Sequence, residues 1–278
     1  MEASPLGIIA GGGDLPLAIA ESARDAGRPA FVIALTGSAD AWVESWPHEW
    51  VSLGEVRKVL RALRGAKVAD IVLAGKLARP KFHEIKLDAK GVMVAPRIIA
   101  AARKGDDALL RSILDLMERE GFNPVGSAEA APGLLAPAGT IGRKAPSKDE
   151  EEDVATAFRI VRLLGSLDIG QAAVVCEGLT LAVEAAEGTD AMIARVGTLS
   201  RRIRGTAEKR RGVLVKAPKP TQDRRVDLPV IGVQTVRNAA AVGLVGIAVE
   251  AGGALILRKH EVVAEADKLG LFLIGVPE

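Results

Sequence analysis

Residues 6–26, LGIIAGGGDLPLAIAESARDA, decide the fold class. Leu6 to Ala10 reads as a buried strand and Gly11, Gly12 and Gly13 as a tight turn. Leu15 to Ala26 reads as a helix, with Asp14 near its cap and Pro16 in the first turn, where the missing N–H of proline costs no hydrogen bond. Three glycines let backbone N–H groups come close to a ligand, and the helix N-terminus adds a partial positive charge that favours phosphate. A purely structural strand-to-helix turn uses the same residues, so the turn alone does not decide between the two. The alternation continues: Phe31 to Leu35 as a strand, a connection carrying Trp42, Trp46 and Trp50, a helix near Glu55 to Arg64, and a strand from Asp70 to Ala74. Gly75 and Lys76 follow it, placing a lysine at the carboxyl end of a strand, where open α/β sheets bind ligands.

Pro96 to Arg103, with proline in the first turn, and Asp107 to Glu120 read as helices. The second carries Leu109, Leu110, Ile113, Leu114 and Met117 in helical spacing, which predicts a core-facing stripe. From Phe122 to Pro146 the sequence thins into Pro and Gly, so a domain junction is placed near residue 135, dividing the chain into residues 1–135 and 136–278. Ser147 with Glu150 to Asp153 is a helix-start signature, its acids read as cap rather than site, leading into Ala155 to Leu167. Ala172 to Cys176 and Leu179 to Ala186 read as adjacent strands, and Thr189, as a cap, with Asp190 opens a helix through Ser200. Ala239 to Val249, Ala254 to Leu257, a helix from Glu261 to Leu269 and a strand from Leu271 to Ile274 complete the chain.

The second informative stretch is Val213 to Gly232, VLVKAPKPTQDRRVDLPVIG. Val213 to Val215 form a short buried strand, and Pro218 and Pro220 then forbid a helix and hold the chain extended. Lys216, Lys219, Arg224 and Arg225 can neutralise an anion. Asp223 and Asp227 can hold a divalent cation, orient a cationic side chain, or take a proton from water. The same charges could instead pair with one another in a solvated loop.

Composition narrows the classes. A chain of 278 residues with 49% hydrophobic and 26% charged content is an ordinary globular one with room for two domains. Residues 201–225 hold ten Lys or Arg against Glu208 and Asp223, which predicts a nearby anion. No Phe, Trp or Tyr interleaves those cations, so nucleic acid is not the expected partner. Cys176 is the only cysteine and sits in an apolar run; it reads as a small buried hydrophobe in a cytoplasmic protein. No segment approaches the roughly twenty apolar residues of a membrane span, so any membrane contact is expected to be peripheral. A dinucleotide fingerprint fails because Pro16 takes the third glycine's place, and Leu35, Thr36 and Gly37 stand where a ribose-binding acid belongs. A P-loop fails because Leu77 follows Lys76, His48, His83 and His260 are too scattered for a zinc site, and no G-x-S-x-G is present.

The segments IAGGGDLP (9–16), GQAAVVCEGLTLAVEAAEGTDAMI (170–193) and KPTQDRRVDLP (219–229) closely resemble the LpxI-type UDP-2,3-diacylglucosamine pyrophosphatases of bacterial lipid A synthesis, over nearly the whole chain. The resemblance implies an N-terminal Rossmann-like glycine-turn domain and a C-terminal mixed α/β domain, with the site between them and an acyl-chain cavity in the second. It implies hydrolysis of UDP-2,3-diacylglucosamine to UMP and 2,3-diacylglucosamine 1-phosphate, with magnesium as cofactor, in the cytoplasm at the inner-membrane surface. Under that reading Asp223 is the first choice as metal ligand or as the group that orients or deprotonates water, with Asp227 its rival. Lys216 and Arg224 are expected on phosphate, with Gln222 as a neutral donor. Gly12, Gly13 and Lys76 are expected on the nucleotide, faced by Gln171 and Thr189. A non-catalytic UDP-sugar or anionic-lipid binder and a UDP-sugar glycosyltransferase are the alternatives, and a homodimer is one assembly left open.

Overall fold

A computed structural model describes residues 4–76, 85–220 and 228–278, which divide into two compact units, the chain passing from the first to the second after Gly133. The first unit runs β1 (Leu6–Ala10), α1 (Asp14–Asp25), β2 (Ala30–Leu35), β3 (His48–Val51), α2 (Val56–Gly65), β4 (Asp70–Ala74), α3 (Ala89–Ala102), α4 (Asp106–Arg119), β5 (Asn123–Pro124) and α5 (Ser127–Ala130). Among the described residues its five strands are all parallel in the order β3-β2-β1-β4-β5, a Rossmann-like arrangement in which the chain changes direction across the sheet at β1. Ile33, Val51 and Ile71 pack with Leu60 and Leu63 of α2, Met117 of α4 and Phe122. The alternate positions Ile8, Val32 and Val72 are buried as well, so both faces of the sheet are covered, as a parallel sheet requires.

The second unit runs β6 (Gly139–Thr140), α6 (Lys148–Ser166), β7 (Ala172–Cys176), β8 (Leu179–Val183), α7 (Gly188–Gly197), β9 (Val213–Lys216), β10 (Val230–Ile231), α8 (Val233–Ala241), β11 (Gly246–Glu250), β12 (Leu255–Ile256), α9 (Lys259–Leu269) and β13 (Phe272–Val276). The main sheet has the order β6-β13-β11-β9-β7-β8, with β9, β11 and β13 parallel and β6, β7 and β8 antiparallel to their neighbours; β10 and β12 pair separately. Period-two alternation sorts its residues. Val213, Val215, Ala173 and Val175 pack against Val154, Phe158 and Val161 of α6. Leu214, Ala172, Val174 and Ile247 pack against Met192 and Ile193 of α7, Ala239 of α8 and Val262 of α9. The buried Ala and Val positions of these strands belong to these two cores.

Several local expectations change. Helix α3 begins at Ala89 rather than at Pro96, because Asp88 caps it by accepting from Gly91 N at 2.7 Å. The hydrogen bond that Pro96 removes would have ended on the carbonyl of Val92, an exposed residue whose backbone water can reach. Of the α4 stripe, Leu114 and Met117 are buried, while Leu109, Leu110 and Ile113 are only half-buried. The Trp-bearing connection contains β3, a four-residue edge strand in register with β2. Ser147 forms the capping box with Glu150, as expected, but Asp153 is not part of that cap. It is buried, and its carboxylate accepts from the backbone of Glu177 at 2.8 Å and Gly178 at 2.7 Å, holding the β7–β8 turn against α6.

Charge-assisted bonds of this kind contribute about 1.5–3 kcal/mol each at most, and water can partly replace them at an exposed turn. Asp153→Ala is therefore expected to destabilise the protein by about 2 kcal/mol and lower its melting temperature by a few degrees. A melting curve superimposable on wild type would show that the strands alone hold the hairpin.

Candidate functional site

The carboxyl ends of the parallel strands gather the candidate residues of each unit. In the first unit the turn after β1 lies against the turn after β4. Gly12 N donates to the Lys76 carbonyl at 2.9 Å and Lys76 N to the Gly12 carbonyl at 2.8 Å, forming a bridge between β1 and β4, where the strand order reverses. This is the position at which open α/β sheets place ligands. The glycines are explained by the approach itself. A Cβ on Gly11 would stand 2.5 Å from the Lys76 carbonyl oxygen, and one on Gly75, which has φ 93°, would stand 2.8 Å from that of Gly12. Gly13, at φ 91°, has open space around its missing side chain, but its N–H already donates to Asp40 Oδ2 at 2.9 Å. The acid after the second strand thus sits a few residues beyond the place a dinucleotide fingerprint assigns, and its carboxylate occupies the mouth of α1. Gly12, Gly13 and Lys76 are brought together; the amide of Gly13 reaches a ligand only in competition with Asp40.

In the second unit three charged residues stand where strands end, and all three are buried: Lys216 closes β9, Glu250 closes β11 and Glu184 follows β8. Lys216 Nζ donates to the Val230 carbonyl at 3.0 Å. Lys216 is opposite Ala172 in the β9–β7 pair, and Ala217 N donates to the Gln171 carbonyl at 3.2 Å, so Lys216 and Gln171 share one edge. Glu184 ties Gln171 to Thr189: its Oε2 accepts from Gln171 N at 3.1 Å and its Oε1 from Thr189 Oγ1 at 2.6 Å. The amide oxygen of Gln171 is buried, and among the described residues no donor meets it. Thr189 does not cap α7, whose N-cap is Glu187; its hydroxyl is committed to Glu184 instead. Lys219 pairs with Asp168 at 2.5 Å on the same strand end. Gln222, Asp223, Arg224 and Asp227 lie outside the described residues, in the segment that leaves from Pro220 and returns at Leu228.

Sequence reading missed Glu184. The signal was present, since VLVK, LAVE and IAVE are three apolar runs each closed by a charged residue, but only the sheet order shows that these ends are neighbours. The basic run also reads differently in three dimensions. Arg204 donates to the carbonyls of Leu199, Gly205 and Val242, and Arg210 to that of Ala240. Arg211 grips Glu177 with two bonds of 2.9 and 2.8 Å and also the carbonyls of Arg201, Arg202 and Arg204. Arg204 and Arg210 tie this loop to the ends of α7 and α8, and Arg211 ties it to the β7–β8 turn, opposite the edge that carries Lys216. They are not an anion site.

Among the described residues, no three His, Cys, Asp or Glu side chains come together in a group that could hold a metal. Among the same residues, no helix is long and apolar enough to cross a membrane.

The fold and its edges define a two-domain α/β protein that presents a glycine turn in one unit and buried, strand-closing charges in the other. Residues 5–134 match the LpxI N-terminal domain and residues 137–274 the LpxI C-terminal domain. The chain is also 49% identical over 271 residues, covering 98% of it and 97% of the relative, to the UDP-2,3-diacylglucosamine pyrophosphatase LpxI of Caulobacter vibrioides. The chain belongs to the LpxI family.

Cys176 takes no part in the site chemistry. It is buried at the end of β7, and desolvation pushes its thiol up to about 11, against a partial downward pull from Arg211. At pH 8 only about one such thiol in a thousand is ionised. The native protein is expected to resist iodoacetamide at that pH over hours, measured by intact mass, and to take up one equivalent once unfolded. Rapid alkylation of the folded chain would overturn this placement.

Proposed function

We propose that this protein hydrolyses the pyrophosphate bond of UDP-2,3-diacylglucosamine, releasing UMP and 2,3-diacylglucosamine 1-phosphate. The observation that carries the reading is identity at about half of all positions, along almost the full length, to a relative named for that activity. The site chemistry supports it. A pyrophosphate repels an incoming nucleophile, so cations must neutralise it while a water is held in line. Lys216, buried at the end of β9, delivers one such charge on rigid backbone, with Arg224 in the adjoining segment as a second. Water forms a new P–O bond as the bridging P–O bond breaks; a carboxylate takes the water's proton, and the departing phosphate leaves as an anion. Asp223 is the residue we assign to orient or deprotonate that water, with Asp227 beside it in sequence as the rival.

Two carboxylates together with phosphate oxygens are a hard oxygen donor set of the kind magnesium prefers. Asp223 and Asp227 would hold the ion, whose charge would help neutralise the pyrophosphate. Contact with the cytoplasmic face of the inner membrane is part of the same reading. It is supported by Leu163, Leu167 and Ile169, three large apolar side chains exposed at and just beyond the end of α6. A homodimer remains compatible with this chemistry and is tested by its mass in solution.

The experiment is cleavage of UDP-2,3-diacylglucosamine with products identified by mass spectrometry. UMP and the lipid 1-phosphate are expected, in a reaction stopped by EDTA and restored by magnesium. Asp223→Ala is expected to lower kcat by at least about a thousandfold while the substrate still binds. Release of UDP instead of UMP would identify a glycosyl transfer, binding without cleavage a carrier, and full activity in Asp223→Ala would overturn its assignment.

A further inference from the structure

We propose that Glu184 fixes the hydrogen-bond polarity of the β7–β8 strand end, so that Thr189 meets the substrate as an acceptor and binds a hydroxyl or N–H group rather than a phosphate oxygen. The inference rests on the proposed activity and assigns part of that same site. A threonine hydroxyl has one proton, and here it is committed to Glu184 Oε1 at 2.6 Å. The other carboxylate oxygen accepts from Gln171 N at 3.1 Å, so Glu184 is held from two elements and, being buried, has little freedom to turn away. Thr189 Oγ1 therefore has only lone pairs left to offer. The amide oxygen of Gln171 is a second acceptor, met by no donor among the described residues. A carboxylate one hydrogen bond behind Thr189 also disfavours a phosphate there by simple repulsion. The opening of α7 is thus no anion site, although a helix N-terminus could have been one.

Glu184 acts through Thr189 and Gln171 and is a positioning residue. Glu184→Gln keeps its shape but replaces one acceptor by an NH2 group. With the amide oxygen serving Gln171 N, the NH2 donates to Thr189, whose proton is released toward the ligand. The polarity is then reversed.

The test compares wild type, Glu184→Gln, Thr189→Val and Thr189→Ser for kcat and KM on UDP-2,3-diacylglucosamine, for melting temperature, and for binding of UMP and of 2,3-diacylglucosamine 1-phosphate by calorimetry. Thr189→Val and Glu184→Gln are each expected to raise KM about tenfold with kcat changed less than about threefold, and Thr189→Ser to stay near wild type. The product whose affinity falls in parallel carries the donor: UMP if it lies on the nucleoside, the lipid phosphate if it lies on the glucosamine. If Glu184→Gln does not fold, the Val and Ser pair at Thr189 decides alone. Folded variants with wild-type KM, equal losses in Thr189→Val and Thr189→Ser, or unaltered affinity for both products would overturn the inference while cleavage by wild type leaves the activity standing. A wild type that neither cleaves the substrate nor binds either product would overturn both.

Discussion

A parallel sheet covered by helices on both faces leaves its strand ends as the place where a side chain can be rigidly held and still reach a ligand. In the second unit α6 lies on one face of the sheet and α7, α8 and α9 on the other, so the strand interiors are filled by Val, Ala, Leu and Ile. A charge in the middle of β9 would lose its hydration with nothing to replace it. At the last residue of the strand the cost falls, because backbone carbonyls and neighbouring loops supply partners. Lys216, Glu184 and Glu250 occupy that kind of position, and Lys216 is served by Val230 and Glu184 by Gln171 and Thr189. The first unit meets the same constraint with glycine, since its two strand-end turns approach closely enough to exclude side chains.

This explains what could be read directly from the chain. The strands of both sheets stand out as short apolar runs, and the opening strand, glycine turn and helix of residues 6–26 are legible because each is fixed by local chemistry. Ser147 and Glu150 announce a helix start for the same reason. Features that depend on partners distant in sequence are not legible. Nothing local distinguishes Arg204, Arg210 and Arg211 from an anion site, because five N–H donors serve a carbonyl as well as a phosphate, and only the fold puts the carbonyls there. Thr189 has the residue type and position of a cap, yet Glu184 outcompetes the helix amides for its hydroxyl. Pro96 reads as a first-turn residue until Asp88 is seen capping the helix a full two turns earlier.

Glu184 shows the same limit at the site itself. Its partners Gln171 and Thr189, and Lys216 farther along the same edge, are all expected from the sequence and the resemblance it carries, while the carboxylate that organises two of them is not. The strand order β9-β7-β8 makes the connection: a chain that leaves β7, turns at Gly178 and returns along β8 delivers Glu184 beside Gln171, from which β7 starts. A Cβ on Gly170 would lie 2.1 Å from the Glu184 carbonyl oxygen, so the two backbones meet as closely here as the glycine turns do in the first unit.

The edge so formed is not electrically uniform. Neighbouring strands are about 4.8 Å apart, which puts the end of β8 about 10 Å from the end of β9, with β7 between them. Lys216 stands at the β9 end, with Glu250 at the end of the adjoining β11 and Glu184 across β7 at the β8 end. A ligand that is anionic throughout would gain at Lys216 and lose at Glu184. One that carries phosphate at one point and hydroxyl or N–H groups about 10 Å away gains at both. A nucleotide-linked sugar has that distribution of groups, whereas free pyrophosphate does not, so the division of charge along this edge favours a substrate gripped by its phosphate and identified by its neutral part.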